Sequence, residues 1–268
     1  MGRDSRRLWQ KMKDNSHTVE VVIPIYKKDI SILELKSLRQ AYKTLDKHPL
    51  TVIKPTSLDL SELLNDFPLL KVKSFDDSFF NGIAGYNKLM LSETFYSCFL
   101  HTKYILIYQL DAYVFNDELI YWCDKGYDYV GAPWLKKPIY DAPIISSIMK
   151  LLYIRHKRKG KKSKQELYDK IGNGGFSLRK VDSHYEAIMK HQEQIHTFLN
   201  NKGHLYNEDV FWATVPCFSY PKATEALAFA FDKYPSLCYK LNKKKMPFGC
   251  HGWYKRKMKS FWKSYIEF

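Results

Sequence analysis

Short apolar runs that alternate with helical patterns limit the fold of this sequence more than any other feature. Residues 19–25 form a β-branched run with a proline near its end, residues 30–45 carry apolar side chains at helical spacing, and residues 50–54 form a second short run. Strands that alternate with helices form a sheet covered by helices on its faces. The sequence therefore predicts an open α/β sheet.

The same alternation continues through the chain. Residues 104–111 predict an apolar strand that ends on an acid, and residues 127–131 predict another strand. Residues 172–179 predict a glycine-rich entry into a strand, whereas residues 85–103 and 183–199 predict helices.

Composition sets the class and the domain organisation. With 268 residues, of which 45% are hydrophobic, the chain is neither disordered, nor collagen-like, nor a coiled coil. It shows no internal repeat and no separating linker. We expect a single domain over residues 17–268, a basic lead-in at residues 1–16 and a basic insertion near residues 140–168.

The charge is positive but unevenly distributed. There are 43 Lys and Arg against 28 Asp and Glu, and seven of the basic residues lie within residues 155–164 without any acid. Local patches of this kind make nucleic acid an improbable partner, because its groove binders are basic along a whole face. Residues 144–153 just before the run could form a short amphipathic helix. Two interpretations stay open: a segment that binds an anionic membrane surface, or a solvated loop.

We infer the cellular compartment from three features that the sequence lacks. The five cysteines have neither paired count nor metal-site spacing, residues 1–16 lack the apolar run of a signal peptide, and no stretch resembles a membrane span. We expect a cytoplasmic protein, held peripherally at the inner face of the membrane if the basic segment binds there.

Asp111 is the first candidate site residue. An acid that ends an apolar strand lies at the sheet edge where open α/β folds bind ligands. Carboxylates there can hold Mg²⁺ or Mn²⁺, whose remaining ligands come from phosphates. Alternatively, Asp111 simply caps the following turn.

Three further segments could carry chemistry. Gly174 and Gly175 follow Asn173 and permit close approach of backbone to a ligand, although a plain hairpin turn has the same composition. Glu208 and Asp209 precede an apolar run, as a partly buried general base or as a helix N-terminal cap. His251, between glycines and aromatics, is either a metal or diphosphate ligand or a packing histidine.

Taken together, these segments resemble an uncharacterised family of putative bacterial glycosyltransferases with the GT-A fold. The resemblance covers nearly the whole chain and is carried by the stretches QLDAYVF, YDYVGAPW, GNGGFSLR, NEDVFWA and PFGCHGW. It implies a GT-A-like, Rossmann-type open mixed sheet flanked by helices in a single domain.

The resemblance also implies roles for the donor-binding residues. Asp111 would be the last acid of an Asp-x-Asp motif whose first position is Gln109, and His251 would complete a site for a divalent cation, Mn²⁺ or Mg²⁺. Pro24 and Tyr26 would receive the nucleotide.

The sugar-binding and catalytic residues are implied in the same way. Asn173, Gly174 and Gly175 would border the donor and acceptor sugars. Glu208 and Asp209 resemble the Glu-Asp-Val element of inverting enzymes, in which the second acid is usually the base.

The implied activity is transfer of a sugar from a nucleotide-sugar to an acceptor hydroxyl, with inversion and in bacterial surface-polysaccharide synthesis. The acceptor would be a glycan or a lipid-linked glycan. Trp134, Trp212 and Trp253 are candidates for stacking on sugar faces, with core packing expected for at least one of them. The alternative is a non-catalytic, transferase-like module that binds anionic polymers or glycans.

Overall fold

The computed structural model describes residues 17–160 and 162–268, so the predicted lead-in at residues 1–16 lies outside the described residues. The strands are β1 (His17–Pro24), β2 (Leu50–Pro55), β3 (Leu70–Phe75), β4 (Thr102–Tyr108), β5 (Ala112–Val114), β6 (Tyr129–Gly131), β7 (Phe176–Lys180), β8 (Ala230–Phe231) and β9 (Gly249–His251). The α-helices are α1 (Ile32–Thr44), α2 (Ser61–Asp66), α3 (Gly82–Met90), α4 (Glu93–Ser97), α5 (Leu119–Asp124), α6 (Pro143–Arg158), α7 (Val181–Lys190), α8 (Gln192–Asn200), α9 (Glu208–Thr214), α10 (Ala223–Phe229), α11 (Pro235–Leu241) and α12 (Arg256–Trp262).

The main sheet is mixed and has the strand order β3-β2-β1-β4-β7-β6. The first four strands in this order are parallel, whereas β7 runs antiparallel to both β4 and β6. Helices cover both faces, which confirms the predicted α/β class and the mixed sheet.

The side chains of β1 and β4 point alternately into the cores on the two faces of the sheet, which explains why these runs form central strands. Val21 and Ile23 point into one core, together with Leu38 of α1, while Val22 points into the core on the other face. All of these side chains are buried, as expected for strands covered on both faces. Helix α1 begins with a capping box between Ser31 and Glu34, which fixes where the chain leaves the loop after β1.

A second, three-stranded sheet has the order β5-β9-β8. β5 pairs antiparallel with β9, and β8 pairs parallel with β9. This small sheet brings the C-terminal part of the chain back to the end of β4.

Some elements end earlier than the sequence predicts. β4 ends at Tyr108. The Gln109 N–H still donates to the Gly175 carbonyl, and the chain then turns, because the Ala112 N–H donates to the Gln109 carbonyl, each at 2.8 Å. Asp111 therefore lies in the turn between β4 and β5, not at the end of the strand.

Both long predicted helices are divided. Residues 183–199 contain parts of α7 and α8, which meet at His191, where the backbone departs from helical geometry. Residues 85–103 contain most of α3, all of α4 and the start of β4; the side chain of Ser92 caps α4 by accepting from the Phe95 N–H.

The predicted insertion is an excursion built around α6. The rings of Tyr140 and Tyr168, near its two ends, stack with centroids 6.0 Å apart, and Leu167 just before Tyr168 is buried in the core. Within residues 17–160 and 162–268, no helix combines the length and apolar character required to cross a bilayer.

Candidate active site

A cavity of about 1000 Å³ opens at the carboxyl ends of the parallel strands β1 and β4. This is the edge at which open α/β sheets bind ligands. The residues predicted to bind the nucleotide-sugar or the metal or to act in catalysis all line it: Pro24, Tyr26, Gln109, Asp111, Asn173, Gly174, Gly175, Glu208, Asp209 and His251. The fold thus brings together segments that are more than 200 residues apart.

Asp111 and His251 meet because of the register of the small sheet. Ala112 of β5 pairs with His251 of β9, so the preceding carboxylate lies beside the imidazole, with 2.9 Å between Asp111 Oδ1 and His251 Nε2. The other carboxylate oxygen, Oδ2, lies 2.8 Å from Nζ of Lys255. Burial alone would raise the pKa of Asp111, but the positive charges of His251 and Lys255 hold it well below its usual range.

Asp232 is a second carboxylate on the same histidine. It follows β8, whose Phe231 pairs with Cys250, and its Oδ1 lies 3.3 Å from His251 Nδ1. Burial lowers the pKa of His251, but the two carboxylates outweigh it and raise the pKa to about 9. Nothing in the sequence analysis pointed to Asp232 or Lys255, since the two residues of β8 are too few to show periodicity and Lys255 lies inside a basic cluster.

The glycine-rich segment separates two groups of side chains. A Cβ atom at Gly175 would collide with the His251 ring and lie 2.8 Å from Gln109 Oε1, whereas one at Gly174 would collide with the Glu208 carboxylate. Asn173 precedes them with a left-handed backbone (φ 89°), and its Oδ1 accepts from the Gly175 N–H at 2.9 Å. Only residues without side chains fit at positions 174 and 175.

Glu208 is the buried member of the acidic pair. Its Oε1 accepts from Nη2 of Arg179 at 3.1 Å, and neither side chain is exposed to more than a few per cent. Arg179 also donates to the hydroxyl of Tyr96 at 3.0 Å. Sequence analysis missed Arg179, because an arginine in a strand is ordinarily at the surface.

Asp209 faces the cavity from the first turn of α9. Its Oδ1 accepts from the Val210 N–H at 2.9 Å. Burial, followed by the neighbouring charge of Glu208, raises the pKa of Asp209 to about 7. Glu208 and Asp209 therefore lie at the start of a helix, as the alternative interpretation of a helix cap expected. However, the N-cap residue is Asn207, and Asp209 lies on the cavity wall.

The tryptophans differ in their environments. Trp134 lines the cavity, whereas Trp212 and Trp253 are fully buried in the core. Packing against neighbouring aromatic rings leaves neither Trp212 nor Trp253 a face for a sugar. Both have the core role that the sequence analysis expected for at least one tryptophan, and Trp134 stays a candidate for stacking.

The donor atoms fit a divalent cation held by few protein groups. Within the described residues, no group of three or more His, Cys, Asp and Glu could hold a metal ion. However, His251 Nε2 lies 2.9 Å from Asp111 Oδ1 at the edge of the cavity, while its Nδ1 contacts Asp232. A carboxylate on one ring nitrogen directs the other toward a metal. The Asp111 carboxylate and the amide oxygen of Gln109 border the same space, and phosphate oxygens would complete the ligand set.

Residues 69–251 match a sequence family described as "Protein of unknown function (DUF5672)". No protein among curated sequences matches the chain.

The chain is similar in structure to three sugar transferases. Mouse xyloside xylosyltransferase 1 has 13% identity, a TM-score of 0.51 and coverage of 87% of this chain and 97% of that one. The galactosyltransferase LgtC, in complex with donor and acceptor sugar analogues, has 11% identity, a TM-score of 0.53 and coverage of 89% and 90%. The mannosyltransferase Ktr4p of S. cerevisiae, in complex with GDP, has 10% identity, a TM-score of 0.50 and coverage of 80% and 69%. At these identities the similarity shows the fold, which is that of GT-A glycosyltransferases.

Proposed function

The chain belongs to this family of unknown function, and we propose that it is a glycosyltransferase that moves a sugar from a nucleotide-sugar to an acceptor hydroxyl. One observation carries the proposal. Gly174 and Gly175 form a part of the cavity floor that has no side chains. His251 with its charged neighbours lies on one side of this floor, and the Glu208–Asp209 pair lies on the other. Such a floor allows a sugar to lie between a cationic group at its leaving oxygen and a carboxylate at the incoming hydroxyl.

The donor is proposed to lie along the end of β1. Pro24 and Tyr26 would receive the nucleotide, and the exposed ring of Tyr26 offers a face for a base. The diphosphate would then reach Asp111, His251 and Lys255. The Lys255 ammonium, 2.8 Å from Asp111, is positioned to neutralise negative charge there.

The proposed metal site consists of Asp111 and His251, with the Gln109 amide oxygen as a further donor. When bound, a divalent cation would polarise the diphosphate and stabilise the charge on the departing nucleoside diphosphate. Asp232 would hold the imidazole of His251 in orientation through Nδ1.

Asp209 is the proposed general base. Its carboxylate would accept the proton of the acceptor hydroxyl while that oxygen bonds to the anomeric carbon, and the bond from this carbon to the diphosphate oxygen breaks. A pKa of about 7 suits such a base, because the ionised form is populated and still basic enough to take the proton. This single displacement inverts the anomeric configuration.

Glu208 is proposed to position Asp209 and not to replace it. Its carboxylate is committed to the buried guanidinium of Arg179. The proposed product is a bacterial surface polysaccharide; support for this finer assignment comes from the sequence resemblance.

The test is a library of nucleotide-sugars in which released nucleoside diphosphate is measured with and without Mn²⁺ or Mg²⁺. We expect one donor class to give release that an acceptor glycan accelerates. Asp209→Asn should bind this donor and release almost nothing, and Gln192→Ala, a change on the outer helix α8, should behave as wild type.

Two results would contradict the proposal. If heparin or another anionic polymer raises the melting temperature and no nucleotide does, the chain is a non-catalytic binding module. If the product keeps the anomeric configuration of the donor, the single displacement through Asp209 is wrong.

A further inference from the structure

Helix α6 presents an apolar face to solvent. Ile144, Ile148 and Leu151 recur at the spacing of one helix face, and their side chains are 77%, 53% and 68% exposed. No residue of α6 is buried. A helix of this length normally buries its apolar stripe, so the outer face lacks the contacts that its sequence would favour.

A second stripe shows how the helix is attached. Ile145, Met149 and Tyr153 are half-buried and lie about a third of a turn from the first stripe. The Met149 carbonyl accepts from the side chain of Gln165 at 2.8 Å. The inner stripe thus lies on the side of the helix that contacts Gln165, and Ile144, Ile148 and Leu151 are the more exposed stripe.

The outer face continues into positive charge. Arg155 and Arg158 follow Leu151 at the same helical spacing, and α6 contains no acidic residue. The basic run is not one solvated segment, however. Nζ of Lys162 lies 3.4 Å from the centre of the Phe198 ring, burial lowers the pKa of Lys162 to about 8, and Lys164 lines the cavity.

We propose that the outer face of α6 (Ile144, Ile148, Leu151, Arg155 and Arg158) docks on an anionic membrane surface. Apolar side chains would enter the boundary between headgroups and acyl chains, and the arginines would pair with lipid phosphates. Charge complementarity selects this occupant: an unpaired face that ends in two arginines and has no acid matches a surface that is both apolar and negatively charged.

The excursion that carries α6 also borders the cavity, which connects docking with the proposed reaction. The excursion is rooted at Tyr140 and Tyr168, which line the cavity and stack on each other. Docking would bring the mouth of the cavity to the membrane surface, so an acceptor carried on a lipid would be within reach. This last step rests on the proposed function, whereas docking itself does not.

The test is co-sedimentation of the full chain with vesicles of phosphatidylcholine alone and with vesicles that also contain phosphatidylglycerol. We expect wild type to pellet with the anionic vesicles and to be released by added salt. Replacing Ile144, Ile148 and Leu151 together with Gln should weaken binding at least about tenfold, because buried aliphatic side chains supply the attachment. A matched control replaces three exposed aliphatic residues on other helices, Ile32, Ile120 and Leu241, with Gln; it should bind as wild type.

Two double substitutions distinguish docking through the outer face of α6 from general electrostatic attraction to the vesicle. Arg155→Gln with Arg158→Gln should weaken binding about 30-fold, since each basic residue at an anionic leaflet contributes about fivefold. Lys150→Gln with Lys157→Gln removes equal charge from another side of the helix and should have a smaller effect. Equal losses from both pairs would overturn docking through the outer face.

Other outcomes would also overturn the proposal. Wild type that stays in the supernatant with anionic vesicles excludes a membrane partner. A concentration-dependent dimer in sedimentation velocity, lost on replacing Ile144, Ile148 and Leu151, would show that a second copy covers the face. Vesicle binding without any sugar transfer would leave the docking intact and contradict the proposed function alone.

Discussion

The guanidinium of Arg179 and the carboxylate of Glu208 form an ion pair, with 3.1 Å between Nη2 and Oε1, in which both side chains are buried. The two residues belong to different elements, since Arg179 lies in strand β7 and Glu208 is the first residue of helix α9. The pair therefore fixes the first turn of α9, and with it Asp209, against the main sheet.

Removing one partner of this pair should destabilise the protein strongly. For Glu208→Gln or Arg179→Met we expect a loss of about 3–5 kcal/mol in the free energy of unfolding, because the remaining charge is buried without compensation. Urea denaturation measures the loss. The double variant should cost less than the sum of the two single changes; simple additivity would mean that the two side chains do not interact.

The pH dependence of turnover should follow Asp209. Because the proposed base acts when ionised and its pKa is raised to about 7, kcat/KM should rise with pH through this value and then level off. Asp209→Asn should lower turnover by a factor of about 10²–10⁴. A wild-type profile that is flat between about pH 5 and pH 8 would contradict the assignment.

Asp209 should also affect stability in a pH-dependent way. Between about pH 4 and pH 7 the folded protein keeps a proton that the unfolded chain has released, so ionisation of Asp209 makes the fold less stable as pH rises through this window. Asp209→Asn removes this penalty. Its free energy of unfolding, relative to wild type, should be greater at about pH 8 than at about pH 5; the opposite trend would mean that the pKa is not raised.

Nucleotide binding should depend on the Asp111–His251 pair. Asp111→Asn and His251→Ala should each weaken the Mn²⁺-dependent binding of a nucleoside diphosphate, as measured by isothermal titration calorimetry. Lys125→Ala, which removes a surface ion pair with Glu225, serves as the control. Undiminished activity of wild type in excess chelator would exclude the metal role.

Asp232 is expected to act through His251. Asp232→Asn should lower metal affinity by about 10–100-fold, because the amide holds the imidazole less strongly than the carboxylate does. Titration of the protein with Mn²⁺ in the absence of a donor measures this directly. If affinity for Mn²⁺ is unchanged, Asp232 does not orient the ligand.

Much of the fold was visible in the sequence because burial has a period. The continuous β-branched run at residues 19–25 predicts a strand covered on both faces, and Val21, Val22 and Ile23 do point alternately into the two cores. The split of the predicted helix at His191 was not visible, since helical spacing is similar on both sides of a bend.

The site was predictable only where a residue stood out in its own segment. Asp111 follows an apolar run, Asp209 precedes one, and His251 lies in a segment rich in glycine and aromatic residues. Asp232 and Lys255 gain their meaning from the pairing of β8 and β9 and from the turn after His251, contacts that a linear pattern does not encode.

The stacked rings of Tyr140 and Tyr168 mean that the excursion begins and ends at nearly the same place. A short connection in place of α6 would leave both sheets and the core intact, since no strand lies between these two residues and no residue of α6 is buried. The proposed docking face on α6 and the proposed catalytic residues thus lie in separate stretches of chain, although Lys164 and Leu167 of the excursion also line the cavity. A graft of residues 143–158 onto another protein would carry the proposed membrane contact without any residue of the cavity.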